Sequence, residues 1–185
     1  MVAVQHLSMT ELEAGLDKVQ DAPKDAGVVH MIVRRPETLE REVVEEGQLD
    51  TAEGLVGDNW KARGSGQTAD GSADPECQIT IMNSRVTELV AQDKDRWHLA
   101  GDQFYVEMDI SRENLPPGTR LSIGEAVLEV SAKPHTGCGK FVERFGADAM
   151  KFVNSAVGRD LCLRGINTWV IQPGKVSVGD VVRKL

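Results

Sequence analysis

The chain has 185 residues, with 21 Lys and Arg against 29 Asp and Glu, and a formal charge of −8 at pH 7. An acidic domain of this size is a poor partner for nucleic acid or anionic lipid, and 41% hydrophobic residues with 27% charged ones exclude global disorder. No apolar run approaches the ~20 residues of a transmembrane helix. Residues 1–25 show no apolar targeting segment, and three cysteines (Cys77, Cys138, Cys162) suit a reducing, cytoplasmic compartment better than a disulfide framework.

Thr10 and Glu13 make a capping-box pattern, followed by Leu12, Leu16 and Val19 at helical spacing and by Pro23. This predicts a helical arm over residues 1–26, ahead of a domain over residues 27–185. Val28, Val29, Met31, Ile32 and Val33 form a strand candidate, with a weaker one at Val43 and Val44. Gly54 to Asp58 reads as a turn with glycine on both sides. Residues 64–76 hold nothing apolar except two alanines, which predicts an exposed, mobile loop. A strand over Gln78–Met82 leads into a helix capped by Asn83 or Ser84 and running towards Trp97. Phe104, Val106, Met108 and Ile110 alternate with Tyr105, Glu107 and Asp109, the pattern of a half-buried strand.

An internal repeat follows. Residues 121–127 (LSIGEAV) match 176–182 (VSVGDVV), each after a Pro-Gly pair, and each reads as a strand, a tight Gly-acid turn and a strand. Between them, Asp148, Ala149, Phe152, Val153 and Ala156 predict a helix over 148–157, with Gly158 as its C′ residue. Leu161, Leu163 and Ile166, then Trp169 to Ile171, are late strand candidates. The fold expected is mainly β, a glycine-rich barrel with two or three short helices.

The densest chemical cluster is Lys133-Pro-His135-Thr-Gly-Cys138-Gly-Lys140, directly after a strand. Glycines flank Cys138, and Lys133, His135, Lys140 and Arg144 lie within six residues of it. Cationic neighbours stabilise a thiolate, the form that acts as nucleophile and metal ligand. The alternative is a loop cysteine without chemistry. Cys77 and Cys162 lie in apolar sequence and read as buried hydrophobes. His135 and Cys138 have a ligand spacing, but no second closely spaced pair supports structural zinc. In a second cluster Arg112 could grip a phosphate or carboxylate and Asn114 could orient a ligand. Arg164-Gly165 is either a site element or an exposed strand end.

Taken together, Gly54-Leu-x-Gly-Asp58, Arg112-Glu-Asn-Leu115, Ile123-Gly-Glu-Ala126, Pro134-His-Thr-Gly-Cys138, Arg164-Gly165 and Gly174-x-x-x-x-Gly-Asp180 occur in an order that resembles the MOSC domain, named for the C-terminal domain of molybdenum cofactor sulfurases. The resemblance spans about residues 27–185. It implies a barrel-based β fold and a cysteine, matched by Cys138, that carries sulfur as a persulfide or meets a molybdenum centre held by a pterin. Many members have histidines after the first Gly-Asp, where this chain has Asn59-Trp60. The expectation is a sulfur carrier or sulfurtransferase-like protein. Arg112, Asn114, Lys133, His135, Lys140 and Arg164 would bind an anionic cofactor, the molybdenum cofactor (molybdopterin) among the candidates, and Cys138 would serve as nucleophile or metal ligand. No pyridoxal-phosphate domain is recognised, so sulfur would come from a separate cysteine desulfurase and pass to a metal-cofactor or metalloenzyme acceptor. The alternative is a non-catalytic module for a small anionic ligand or metal, with Cys138 as ligand.

Overall fold

A computed structural model describes residues 5–185. The strands are β1 (Gly27–Arg34), β2 (Glu42–Val44), β3 (Glu46–Asp50), β4 (Gly54–Leu55), β5 (Ile79–Asn83), β6 (Phe104–Glu107), β7 (Arg120–Ile123), β8 (Ala126–Pro134), β9 (Ile166–Gln172), β10 (Gly174–Ser177) and β11 (Val181–Lys184). Seven of them close a barrel in the order β11-β7-β8-β9-β5-β6-β1, sealed by the β1–β11 pairing, with β2 as a flap on β1. All barrel pairings are antiparallel except β5–β6. β3, β4 and β10 form a separate small sheet, whose Leu49, Leu55 and Val176 join the interior core. The expected β-barrel is therefore observed, but with seven short helices among the described residues in place of the two or three expected.

Inward side chains follow the two-residue period of a pleated strand. Leu121 and Ile123 of β7, Ala126, Leu128 and Val130 of β8, and Ile79 and Ile81 of β5 fill the interior. In β1 the register shifts between Val29 and Met31, so Val29 and Ile32 both point inward while Met31 and Val33 face the outer layer. Such a bulge explains why this run is apolar at consecutive positions.

The alternating segment after residue 104 departs from expectation. Phe104 and Val106 enter the barrel, but Tyr105 on the other face is fully buried beside Trp97, ring centroids 6.3 Å apart. The strand is covered on both faces because helices pack outside it. It also ends at Glu107, and Met108 and Ile110 reach the interior from irregular chain.

The outer layer is made of short helices: α1 (Met9–Ala14), α2 (Leu16–Gln20), α3 (Trp60–Arg63), α4 (Ser84–Ala91), α5 (Gly139–Phe145), α6 (Ala147–Asn154) and α7 (Ala156–Asp160). The capping box is one of Ser8 with Glu11, two residues before the one expected. The arm breaks at Gly15, where a Cβ would meet Leu89 Cδ1 at 2.5 Å. Leu12 and Val19 bury into the same core as Phe152 and Val153. Asn83 caps α4, which stops at Ala91; Trp97 lies on a separate 3-10 segment. None of the described helices is long and apolar enough to cross a membrane.

Three further expectations are corrected. The helix over 148–157 is two helices, because Ser155 ends α6 and caps α7 through Gly158 N. Gly158 lies inside α7, and a Cβ there would stand 2.3 Å from Phe152 O. The repeat folds differently in its two copies. Residues 121–127 span the β7–β8 hairpin, whereas β10 pairs with β3 and β11 pairs with β7 and β1. Leu161 and Leu163 lie in a turn rather than a strand, with Cys162 at φ +51°.

Candidate functional site

A cleft of about 920 Å³ opens where β1 and β8 end and β6 and β9 begin. Lys133, His135, Cys138, Lys140 and Arg164 line it together. Arg112 and Asn114 do not. Arg112 Nε donates to Arg159 O, and Asn114 Nδ2 donates to the carbonyls of Lys24 and Asp109, tying the end of the arm to the barrel. The carboxamide oxygen of Asn114 accepts from Lys184 Nζ. Both side chains are engaged by distant segments of the chain, Arg112 by the end of α7 and Asn114 by Lys24 and Lys184.

The cleft is cationic although the chain is acidic. Arg35, Arg41, Arg63 and Arg144 join Lys133, Lys140 and Arg164 on its walls. Three of these cations have carboxylate partners. Arg35 forks onto Asp58, with Nε and Nη2 each 2.8 Å from a carboxylate oxygen, and donates Nη1 to Gly101 O. Asp58 is the acid of the Gly57-Asp58 turn, and it also accepts the N–H groups of Arg35 and Trp60. Arg164 reaches Asp102 at 2.7 Å and Ala100 O at 2.9 Å, with its guanidinium 5.2 Å from the Phe141 ring centroid. Lys133 binds Asp74, which anchors the far end of the 64–76 loop. Arg41, Arg63, Lys140 and Arg144 have no carboxylate partner among the described residues.

Asp102 is fully buried. Burial pushes its carboxyl pKa up, and Arg164 pulls it partly back. Its second oxygen faces His135 Nδ1 at 3.4 Å, and neither atom has a hydrogen-bond partner. Burial, reinforced by Arg164 and Arg35, holds His135 well below the ordinary histidine value. The imidazole is thus neutral near pH 7. With Nδ1–H turned towards Asp102, Nε2 remains an acceptor. Gly165 is needed beneath this ring: its φ is +110°, and a Cβ would stand 3.2 Å from His135 Nδ1 and 2.6 Å from Ile81 O. The Arg164-Gly165 pair therefore supports His135 from two sides.

Cys138 is exposed, in extended backbone at the start of α5. The flanking glycines have different roles. Gly137 packs against α6, where a Cβ would meet Met150 Sδ at 2.6 Å, and its N–H donates to Asn154 Oδ1. Gly139 has open space around it. Cys77 closes a 3-10 turn and lines the same cleft, half-buried, with burial and then Asp74 raising its pKa. Cys162 is half-buried too, and burial raises its pKa. The 64–76 loop forms a wall through Ser65 to Gln67, and its own side chains fold it: Thr68 Oγ1 donates to the carbonyls of Ser65 and Ser72.

Sequence reasoning missed Asp102, Arg35, Arg41 and Arg63. Arg35 stands directly after β1, and an Arg-Pro pair closing an apolar strand was the only local signal for it.

The MOSC domain family model matches residues 70–183. No curated protein sequence matches the chain. Among solved structures, the YuaD protein from Bacillus subtilis superposes with a TM-score of 0.64 at 18% identity, covering 85% of this chain and 94% of that one. YiiM from Escherichia coli gives 0.55 at 19% identity, covering 85% and 69%. YiiM from Geobacillus stearothermophilus gives 0.53 at 12% identity, covering 87% and 74%. At these identities the likeness is one of fold.

Proposed function

The chain belongs to the MOSC-domain family, and we propose that it is a sulfur carrier of a reducing, cytoplasmic compartment whose Cys138 holds sulfur as a persulfide. One observation carries the reading: an exposed cysteine shares a cation-lined cleft with a neutral histidine backed by a buried carboxylate. In the loading step the Cys138 thiolate attacks the terminal sulfur of a donor persulfide. The donor S–S bond breaks, a new S–S bond forms on Cys138, and the donor leaves as a thiolate. His135 Nε2 takes the Cys138 proton, and Asp102 balances the imidazolium that results. The cationic walls stabilise the anionic persulfide. The donor is a cysteine desulfurase-type enzyme, and the acceptor a metal cofactor or metalloenzyme.

The family is associated with molybdenum cofactor sulfurases, and the cleft suits an anionic, pterin-held molybdenum centre. The described residues offer no cluster of three His, Cys, Asp or Glu side chains for a bare metal. A metal bound by Cys138 must bring its other ligands with it. Unpartnered cations and the buried, unsatisfied Arg41 Nε fit the anionic part of such a group. When bound, the group would supply a soft metal that accepts sulfur. Cys138 would face the metal, and Lys140 would sit beside the anionic part.

The second reading is a non-catalytic binding module, which the unpaired cations favour. Metal and pterin analysis of the purified protein, with peptide mapping after incubation with a cysteine desulfurase and cysteine, separates the two. Persulfide on Cys138 supports the carrier. Bound pterin with no persulfide supports the module.

A further inference from the structure

Two of the three thiols open on one cleft. Cys138 lines it from the loop after β8, and Cys77 from the 3-10 turn at Pro75–Cys77, just ahead of β5. Lys133, near the end of β8, links the two segments. Its ammonium bonds Asp74 and lies 4.0 Å from Glu76, the residue before Cys77. Cys162 opens elsewhere, on a separate small pocket lined by Arg112 and Arg159.

The two thiols are held differently. Asp74 caps the Cys77 turn through the Glu76 N–H, and its backbone carbonyl accepts from Cys77 N–H and Trp60 Nε1. That turn is rigid. Cys77 Sγ lies 3.9 Å from Asp74 Oδ2, and burial, then Asp74, raises its pKa, so it rests as the thiol. Cys138 is exposed, and its side chain makes no capping bond to α5. Gly137 is pinned to Asn154, while a Cβ on Gly139 would meet nothing within 4 Å. The chain is free to pivot there and swing the Cys138 sulfur across the cleft. An exposed thiol loads first, and a half-buried one does not compete for the donor.

Electron count gives the second thiol a task. The outer sulfur of a persulfide is two electrons short of the sulfide that a metal centre binds. Two thiols in one cleft supply two electrons.

We propose that Cys77 is the resolving thiol of this cleft, which releases the sulfur held on Cys138 as sulfide. Cys77 Sγ attacks Cys138 Sγ, the bond to the outer sulfur breaks, and that sulfur leaves as hydrosulfide carrying the Cys77 proton. The products are a Cys77–Cys138 disulfide and one hydrosulfide; the two cysteine sulfurs are oxidised and the outer sulfur is reduced. A dithiol reductant of the same compartment reopens the disulfide. The proposal deepens the carrier reading and rests on it for the persulfide.

The test follows persulfidated protein by intact mass and sulfide assay after donor and reductant are removed. Wild type should pass from the persulfide mass to about 2 Da below the starting mass, the loss of two hydrogens, with stoichiometric sulfide. Peptide mapping should find Cys77 joined to Cys138 within one chain. Cys77→Ser should slow sulfide release at least tenfold, and Cys162→Ser should leave it unchanged. A second arm needs no sulfur donor: one equivalent of dithiodipyridine puts a mixed disulfide on Cys138 of the Cys162→Ser protein, and Cys77 should displace the second thiopyridone. No internal disulfide from either adduct, a disulfide to Cys162, or sulfane sulfur that moves intact to Cys77 overturns the proposal. If the mixed disulfide collapses onto Cys77 but no persulfide ever forms, the resolving thiol stands and the carrier reading falls.

Discussion

Asp102 Oδ1 lies 3.4 Å from His135 Nδ1, and neither atom has a hydrogen-bond partner, while the other oxygen of Asp102 receives Arg164 at 2.7 Å. The carboxylate thus stands between a permanent cation and an imidazole that is neutral at rest. A proton gained by His135 would convert this contact into a charge-assisted bond. The geometry suits a base that holds a proton briefly and returns it.

Stability should fall as pH drops below 6.5. The folded-state pKa of His135 is depressed below the ordinary 6.5, so the unfolded chain binds the proton first and is favoured as pH falls from 6.5 towards the folded value. His98 acts in the same direction. Thermal melts from pH 7.5 to 5 should show a shallower slope for His135→Gln than for wild type. Parallel slopes would show that His135 is not held neutral by the fold.

Arg164→Met should leave a buried carboxylate without its cation. Breaking such a pair costs about 3–5 kcal/mol, which at roughly 2–4 °C per kcal/mol lowers Tm on the order of 10 °C. The double variant with Asp102→Asn should recover much of the loss, because the orphan charge is gone. Calorimetric melts of the three variants check this.

Cys138 should be the first thiol alkylated near pH 7. It is exposed, whereas Cys77 and Cys162 are half-buried with pKa values raised by burial. Competitive labelling with isotopic iodoacetamide and peptide mapping reads the order directly. Faster labelling at Cys77 or Cys162 would move the reactive centre.

Lys133→Met should loosen the 64–76 loop. Lys133 ties Asp74 to the end of β8, and its hydrogen bond holds the Asp74 carboxyl below the usual value. That contribution is lost only as pH falls from 3.8 towards the folded value, so acidification to pH 5 should not mimic the variant. Limited proteolysis should cut the loop severalfold faster in the variant. Equal rates would show that Lys133 does not hold the loop, leaving its order to its internal bonds and to Trp60 Nε1, which donates to Asp74 O.

Much of the barrel was legible because its strands alternate. Leu121 to Val130 and Ile79 to Ile81 show the period that a pleated wall demands. Legibility failed where both faces are covered, as at Tyr105, and where a polar strand is buried at one point only, as β3 is at Leu49. The repeat misled because a hairpin pattern does not specify its partner, and β10 pairs with β3. In the site, Cys138, His135 and Lys140 share one short segment and were visible together. Asp102, Arg35 and Arg41 reach the cleft from segments with no common motif, and only the fold brings them in. Arg112 and Asn114 showed the reverse, a conspicuous motif spent on backbone carbonyls.

The central claim is that Cys138 carries sulfane sulfur. Intact-mass spectrometry after incubation with a cysteine desulfurase and free cysteine tests it most directly. Wild type should gain about 32 Da, the mass of one sulfur, and lose it on reduction. Cys138→Ser, equally folded by circular dichroism, should gain nothing. An unchanged wild-type mass, or equal gain in Cys138→Ser, would contradict the account.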